Sequence, residues 1–149
     1  MTDECPICLK HRGEGPLVGE RIYEDAHVLG WHAPPHAVGG YLGYLFVEPR
    51  RHVPGLDGLS EDEAAATGVA VTRLARALRA EGAEHVYAAV LGHNIPHLHV
   101  HVVARWPGTP RQYRGTHVDE WPGAPRGGES EVTDLAGRLR ARLAEESGI

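Results

Sequence analysis

The sequence of 149 residues has little of what several protein classes require. Its two cysteines are too few for a disulfide framework. No apolar run approaches the roughly 20 residues that span a bilayer, and the first ten residues, MTDECPICLK, carry acids and cysteines where a signal peptide has an apolar run. With a net charge of −5, the chain also lacks the basic surplus that attracts nucleic acid or anionic membranes. These absences predict a cytoplasmic protein with neither nucleic acid nor membrane as a partner.

Histidine is the residue that the chain has in excess, with 11 copies against five tyrosines and three tryptophans. The remaining composition is ordinary for a globular protein, with 42% hydrophobic and 23% charged residues. A chain of this length buries roughly two-thirds of its unfolded surface, which is enough for one domain. We therefore expect a single domain over residues 1–149, whose function has to account for the histidines.

The spacing of apolar residues predicts an α+β fold. Strands are predicted over residues 21–25, 28–31, 41–47, 85–91 and 97–102. A capping box followed by apolar residues at helical spacing predicts a long helix over 60–82. Because the connections are short, we expect an antiparallel sheet of five to six strands with this helix packed on it. Residues 1–20 are expected to be an irregular knuckle, and residues 106–149 a loop that leads into a C-terminal helix near residue 131.

The two cysteines form a Cys-x-x-Cys pair, Cys5 and Cys8, which has three interpretations. A redox pair of the thioredoxin kind normally follows a strand and opens a helix, whereas this pair lies at the extreme N-terminus. The pair can instead supply half of a zinc site whose other ligands lie elsewhere, or it can be two unused thiols. The cysteines alone favour zinc over redox chemistry and leave the unused thiols as an alternative.

Three histidines alternate with apolar residues in the segment 97–102, HLHVHV. On a strand, this period of two places His97, His99 and His101 on one face and the apolar residues in the core. Two kinds of chemistry fit three imidazoles on one face. They can bind a metal ion that activates water, or one imidazole can attack phosphorus as a nucleophile while its neighbours bind phosphate oxygens.

The histidine segment and the residues before it resemble the signature of the histidine-triad (HIT) family. Residues 92–103, GHNIPHLHVHVV, contain the family's His-x-His-x-His pattern followed by apolar residues. Three earlier segments are also similar to the family and occur in the same order, YED at 23–25, FVEPRRH at 46–52 and LSEDE at 59–63. The resemblance spans residues 5 to about 105. It implies an HIT-like fold, a homodimer and a small-molecule nucleotide substrate.

The same resemblance implies a reaction. The family's nucleotide hydrolases act on nucleoside 5′-phosphoanhydrides or phosphoramidates, and their middle histidine is the nucleophile. By this likeness His99 attacks the α-phosphorus and forms a nucleotidyl-histidine, from which water releases a nucleoside monophosphate. His101 holds a phosphate oxygen, and His97 completes the catalytic triad.

Three alternatives accompany the hydrolase. Nucleotidyl transferases of the wider superfamily form the same intermediate but carry glutamine at the position of His101, so the third histidine favours hydrolysis. A metal-dependent hydrolase or lyase would use the triad as metal ligands, and a nucleotide-binding module would show little turnover.

Some members of the family also bind a structural zinc ion. Its ligands are a Cys-x-x-Cys pair, the histidine that follows the two basic residues, and the first histidine of the triad. By this resemblance the ligands here are Cys5, Cys8, His52 and His97. The alternative is that His52 orients a triad histidine through a hydrogen bond.

The chain departs from the family at two places that bear on the substrate. Many members carry glutamine, alone or followed by serine, just before the triad, where this chain has His93 and Asn94. Many also have an acid after the second strand that binds the ribose hydroxyls, whereas residues 31–36 contain none. We therefore predict that His93, Asn94 and His32 contact the substrate, whose base and leaving group stay open.

Overall fold

A computed structural model describes residues 5–92 and 94–147 of the chain. Its strands, in chain order, are β1 Glu20–Glu24, β2 Val28–His32, β3 Tyr44–Pro49, β4 His85–Ala89 and β5 Val100–Arg105. Its α-helices are α1 Pro6–His11, α2 Glu61–Ala80 and α3 Glu129–Ser147. The strands form one antiparallel sheet in the order β1-β2-β3-β5-β4. This confirms the predicted α+β fold with an antiparallel sheet, a long helix packed on it and a C-terminal helix.

The two faces of the sheet differ in what covers them. Helices α2 and α3 pack on one face, where Leu45 and Val102 are buried among apolar residues of both helices. Because side chains alternate along a strand, Tyr44, Phe46 and Glu48 of β3 project from the opposite face. We call this opposite face, which also carries His101 of β5, the site face.

Helix α2 begins at the predicted capping box. The Ser60 hydroxyl accepts a hydrogen bond from the Glu63 backbone N–H at 3.1 Å, and the Glu63 carboxylate accepts one from the Ser60 N–H at 2.9 Å. The Arg51 guanidinium donates two further hydrogen bonds to Glu63, at 2.7 and 3.1 Å. These donors lower the pKa of Glu63 to about 2, so this helix start is fixed by a carboxylate that stays ionised.

Replacing Ser60 with alanine is expected to lower the free energy of unfolding by about 1 kcal/mol, because the N–H of Glu63 loses its hydrogen-bond acceptor. Urea denaturation of wild type and variant measures the change. Ser130→Ala in the exposed first turn of α3 is the control and should change stability by only a few tenths of a kcal/mol. An equal loss in both variants would contradict a capping role for Ser60.

Helix α3 is attached to α2 by apolar and charged contacts. Leu135 and Leu139 are buried in the same core as α2. At the end of α2, the Glu81 carboxylate accepts hydrogen bonds from Arg138 at 2.7 Å and Arg142 at 2.6 Å. These contacts place the C-terminal helix against the face of the sheet that lies away from the site face.

The expectation of an irregular knuckle over residues 1–20 is wrong for Pro6–His11, which form α1. Residues 1–4 lie outside the described part of the chain. The Cys5 thiol accepts a hydrogen bond from the Cys8 N–H at 3.4 Å and so caps the helix. Pro6 occupies the first turn, where its missing N–H costs nothing. A proline that looks like a loop residue in the sequence therefore starts a helix.

Two strands begin three residues later than predicted. Strand β3 begins at Tyr44 rather than at residue 41, because Gly43 has a positive φ of 88° and lies tightly against Trp106. Strand β5 begins at Val100 rather than at residue 97, because the Leu98 N–H donates outside the sheet, to the carbonyl of Val53 at 2.7 Å. Of the three histidines in the triad, only His101 therefore lies within the strand.

The segment between β5 and α3 packs beside the site face. It contains two 3₁₀ turns, Arg111–Tyr113 and Gly115–Glu120, and buries Val118 against Tyr41 and Val103. None of the described helices is both long and apolar enough to cross a membrane.

Candidate functional site

A cavity of about 320 Å³ opens on the site face. Its polar lining consists of Lys10, Glu48, Asn94, His99 and His101. Its apolar lining consists of Ile7, Leu17, Pro34, Ala37, Val38, Phe46 and Ile95. A volume near the lower end of the range for ligand pockets, with few polar groups among many apolar ones, suits a small molecule that has an apolar ring and a polar end.

The ring of His99 is oriented by the backbone. Its Nδ1 lies 2.8 Å from the carbonyl oxygen of His97, to which it donates because a carbonyl oxygen only accepts. In the neutral ring, the lone pair then belongs to Nε2. The ring also packs against Phe46, with 5.9 Å between the ring centroids. In this neutral form, His99 brings an unprotonated nitrogen to a cavity whose lining is mostly apolar.

The ring of His101 lies beside His99, with 5.3 Å between their centroids. Its Nδ1 is 2.8 Å from the Tyr44 hydroxyl, and its Nε2 is buried without a hydrogen-bond partner among the described residues. Burial, helped by the neighbouring His99, lowers the pKa of His101 to about 4. Burial likewise raises the pKa of Tyr44 to about 12. Both groups are thus neutral at pH 7, and Nε2 of His101 is a buried polar atom that a ligand can satisfy.

Because its pKa is lowered, His101 binds a proton less readily in the folded chain than in the unfolded chain at acidic pH. An unfolded histidine has a pKa of about 6.5, so between that value and about 4 the unfolded chain binds the proton at this position more readily. As the pH falls through this window, the wild type is expected to lose stability relative to His101→Gln. Urea unfolding of both proteins at several pH values measures this difference. A difference that stays constant from pH 7 to pH 4 would contradict a buried, neutral His101.

His97, the first histidine of the triad, belongs to a separate cluster with Cys5, Cys8 and His52. Nδ1 of His97 lies 3.7 Å from the Cys5 sulfur and 3.5 Å from the Cys8 sulfur, and Nδ1 of His52 lies 3.5 Å from the Cys8 sulfur. All four candidate ligand atoms lie within 4.8 Å of one another. Three parts of the fold thus meet here, namely α1, the segment after β3 and the segment before β5.

The donors of this cluster fit a tetrahedral zinc ion. Zn–S bonds of about 2.3 Å and Zn–N bonds of about 2.0 Å imply a sulfur–nitrogen edge of roughly 3.5 Å in a tetrahedron, and the three sulfur–nitrogen separations are 3.5, 3.5 and 3.7 Å. Nε2 of the fully buried His97 donates to the carbonyl of Pro49 at 2.9 Å, so Nδ1 is left to face the sulfurs. Burial lowers the pKa of His97 to about 4, which keeps the ring in the unprotonated form that a metal binds.

A buried ion pair joins α1 to the site face. The Lys10 ammonium donates to one oxygen of Glu48 at 2.6 Å, and the His11 ring is 2.8 Å from the other oxygen. Lys10 is 3% exposed and Glu48 only 1%. Burial alone would raise the pKa of Glu48, but the ammonium and the His11 ring together hold it below its ordinary value. Neither Lys10 nor Glu48 is among the site residues that the sequence predicts, although both line the cavity.

Of the three predicted substrate contacts, one is seen to line the cavity. Asn94 lines the cavity together with His99 and His101, whereas His93 lies outside the described residues. His32 does not line the cavity, which corrects its prediction as a substrate contact. It is fully buried, donates from Nδ1 to the Ala33 carbonyl at 2.7 Å and accepts at Nε2 from the Gly43 N–H at 2.9 Å. Its two ring nitrogens are used by the backbone, so His32 has a structural role.

A model of the HIT domain matches residues 20–108 of the chain. A zinc-bound histidine-triad family protein from Mycobacterium smegmatis is similar in structure, with a TM-score of 0.70 and 23% identity over 99% of each chain. A hypothetical histidine-triad nucleotide-binding protein from Sulfolobus tokodaii gives a TM-score of 0.68 and 20% identity over 95% of this chain and 93% of its own. A Hit-like protein involved in cell-cycle regulation, from Bartonella henselae, gives 0.67 and 19% over 94% and 97%. No curated protein matched the sequence.

Proposed function

Because the chain belongs to the histidine-triad (HIT) family, we propose that it is a nucleotide hydrolase whose nucleophile is His99. The observation that carries the proposal is the hydrogen bond from Nδ1 of His99 to the carbonyl of His97, since it leaves the lone pair on Nε2. The nucleotide-binding relative from Sulfolobus tokodaii supports a nucleotide as the substrate class. The substrate is then a nucleoside 5′-phosphoanhydride or phosphoramidate.

The reaction proceeds in two displacements at the α-phosphorus. In the first, Nε2 of His99 forms a P–N bond while the bond to the leaving group breaks. The leaving group departs with that electron pair and takes a proton from solvent. In the second, water forms a P–O bond and gives up one proton to solvent, while the P–N bond breaks with its electron pair returning to Nε2. The nucleoside monophosphate then leaves and His99 is again neutral. Dividing one difficult displacement into two easier ones is the advantage of covalent catalysis.

Neighbouring groups orient the nucleophile and bind the phosphoryl oxygens. The Tyr44 hydroxyl and Nδ1 of His101 share a hydrogen bond. In the tautomer that we propose, the hydroxyl donates to Nδ1 and the ring proton stays on the unpartnered Nε2. That N–H donates to a phosphoryl oxygen as negative charge develops in the transition state. Asn94 lies at the same cavity and supplies an amide donor. His97 contributes through its carbonyl, which holds the ring of His99 in place.

The geometry of the triad favours this nucleophile over the metal-dependent alternative. To hold a metal ion, several histidine, cysteine or acidic side chains have to lie close together. Within residues 5–92 and 94–147, the group that does so consists of Cys5, Cys8, His52 and His97. His99 and His101 belong to no such group. The metal-ligand role and the nucleophile role are therefore assigned to different histidines.

We also propose that the cluster of Cys5, Cys8, His52 and His97 holds a structural zinc ion. The donor set is the Cys₂His₂ type of structural zinc sites, and four protein ligands leave no open position for a substrate. Bound there, the metal supplies cross-linking rather than catalysis, since it joins α1 to the segments that flank β3 and β5. The zinc-bound relative from Mycobacterium smegmatis supports this assignment.

A homodimer and a cytoplasmic location complete the proposal. Strand β4 lies at the edge of the described sheet, and Val90 and Leu91, just after it, are 40% and 45% exposed. An open edge with apolar residues beside it favours pairing with a second copy. Light scattering on the purified protein tests this, and a monomer at all concentrations would reject it.

The proposed cytoplasmic location fits the zinc site, because in the cytoplasm the two cysteine thiols stay reduced and able to bind zinc.

Purified protein should be incubated with dinucleoside polyphosphates, nucleoside phosphoramidates, adenylyl sulfate and sugar nucleotides. We expect at least one of these classes to release a nucleoside monophosphate, detected by chromatography. A transferase would instead pass the nucleotidyl group from the histidine to an acceptor other than water, so the product would be a nucleotide joined to that acceptor rather than a free monophosphate. Binding without turnover across the whole panel would reject the hydrolase and favour the nucleotide-binding module.

A further inference from the structure

Helix α1 contributes to the cavity although it lies outside the residues that the HIT model matches, which begin at residue 20. It supplies Ile7 and Lys10 to the lining. The Lys10 ammonium is 2.6 Å from Glu48, 5.0 Å above the Trp31 ring and 5.3 Å from the Phe46 ring. Two aromatic rings and a carboxylate therefore hold this buried ammonium at the edge of the cavity.

The pair keeps unused hydrogen-bonding capacity on both sides. An ammonium has three N–H donors, and toward the described residues Lys10 uses one, on Glu48. A carboxylate has about four lone-pair sites, and within the same part of the chain Glu48 uses one for Lys10 and one for His11. Because both residues line the cavity, a donor and an acceptor stand side by side toward a bound ligand.

The charges of the pair indicate what kind of group it binds. The ammonium and the carboxylate cancel each other, so the pair as a whole attracts no anion. A phosphate placed against it would also approach the carboxylate in a poorly solvated cavity, where repulsion between like charges is strong. An uncharged group that both donates and accepts hydrogen bonds meets no such penalty.

The pair lies at the same cavity as the nucleophile. Phe46 of β3 pairs with His101 of β5, and Glu48 lies two residues further along β3 on the same face. Lys10 and Glu48 line the same cavity as His99 and His101. One ligand in this cavity can therefore contact both the pair and the nucleophile.

We propose that the Lys10–Glu48 pair recognises an uncharged hydrogen-bonding group of the substrate's nucleoside, either its sugar hydroxyls or an edge of its base. This inference rests on the proposed nucleotide-binding function of the cavity. It assigns a specificity role to a helix that precedes the family-matched region. It also provides a hydrogen-bonding carboxylate for the substrate in a chain whose residues 31–36 contain none.

Calorimetric binding of nucleoside monophosphates to the zinc-loaded protein tests the proposal, because these products are not turned over. The probes are AMP, GMP, CMP and UMP, the 2′-deoxy and 3′-deoxy forms of AMP, and adenosine without phosphate. The test variant is Lys10→Met/Glu48→Gln, which removes both charges and so leaves no unpaired buried ion. Glu81→Gln is the matched control, since Glu81 also accepts from basic side chains but does not line the cavity.

The double variant is expected to bind its preferred monophosphate about tenfold more weakly, as for the loss of a hydrogen bond to a charged group. The loss should disappear for the analogue that lacks the recognised group and persist for adenosine. If a deoxy analogue binds the double variant as well as it binds the wild type, the hydroxyl that it lacks is the recognised group. If the loss of affinity instead depends on which base the monophosphate carries, the recognised group is an edge of the base. Glu81→Gln should bind every probe like the wild type.

Three results would overturn the inference. An equal loss for all probes would make the pair merely structural, and a loss that disappears for adenosine would make it a phosphate site. Unchanged binding of every probe by a folded double variant would leave the pair without a role in recognition. If the wild type itself binds no monophosphate, the proposed nucleotide function fails first, so the two failures are distinguishable.

Discussion

Replacing His99 with glycine is expected to lower kcat by about 10⁴-fold or more, because the reaction then has no group to form the P–N bond. The effect should fall on kcat rather than on substrate binding, since the apolar lining of the cavity is unchanged. The fold should also persist. Among the described residues, the side chain of His99 makes one hydrogen bond, to the carbonyl of His97, and its removal enlarges a cavity that is already open on the site face.

Kinetics on the substrate found by screening should be combined with metal analysis of the same samples. His117→Gly is the control, because His117 is an exposed histidine outside the cavity, and it should retain wild-type kcat. Full zinc content with lost turnover supports His99 as a nucleophile. Loss of zinc together with activity would instead make His99 a metal ligand and contradict the separation of the two roles.

Removing zinc, by chelation or through Cys8→Ser, is expected to lower Tm by about 10 °C or more. Stability should depend on the metal because the cluster joins α1 to two other segments of the fold. Helix α1 has six residues, too few to be stable alone, and the cluster is what would join it to His52 and His97. Without the metal, the thiols and imidazoles of the cluster stay buried with no ion to coordinate. The loss of α1 would also remove Lys10 from the cavity, so nucleotide binding should weaken together with stability.

Differential scanning calorimetry and elemental analysis measure Tm and metal content. His36→Asn is a suitable control, because His36 is exposed, contacts a backbone carbonyl and lies outside the cluster. It should keep one zinc ion per chain and change Tm by only a few degrees. If wild-type protein holds no zinc and added zinc leaves Tm unchanged, the structural metal site is rejected.

The parts of the fold that the sequence predicts are those set by local patterns. Helix α2 has a capping box at Ser60 and apolar residues at a helical period, and it lies where predicted. The short connections between the elements correctly predict an antiparallel sheet. The start of β3 is displaced because Gly43 contacts Trp106, which is 63 residues away in sequence. Such a contact leaves no local mark in the pattern.

The sequence identifies the histidines of the site but not how all of them are placed. The spacing of the triad identifies its three histidines, but a strict strand period places all of them on one face. The structure brings only His99 and His101 to the cavity, because His97 precedes β5 and turns toward Cys5 and Cys8. Which histidine leaves the strand depends on the backbone around Leu98, and that backbone bonds to a distant loop.

Of the buried pair Lys10 and Glu48, only the glutamate has a signal in the sequence. In the segment 44–49, YLFVEP, the two-residue period assigns Glu48 to the same face as Phe46, so a carboxylate follows an apolar strand into a covered region. That alternation is the signal for a buried acid. Its partner Lys10 carries no such signal, because a short helix capped by Cys5 has to form before the ammonium can reach the sheet.

The most direct test of the central claim is to capture the intermediate on His99. Protein mixed with the substrate found by screening should be quenched within milliseconds in alkali, where phosphorus–nitrogen bonds survive, and digested for mass spectrometry. We expect a nucleoside monophosphate attached to the peptide that contains His97, His99 and His101, and attached to no peptide of His99→Gly. Rapid turnover with no adduct at any quench time, or an adduct that persists in His99→Gly, would contradict His99 as the nucleophile.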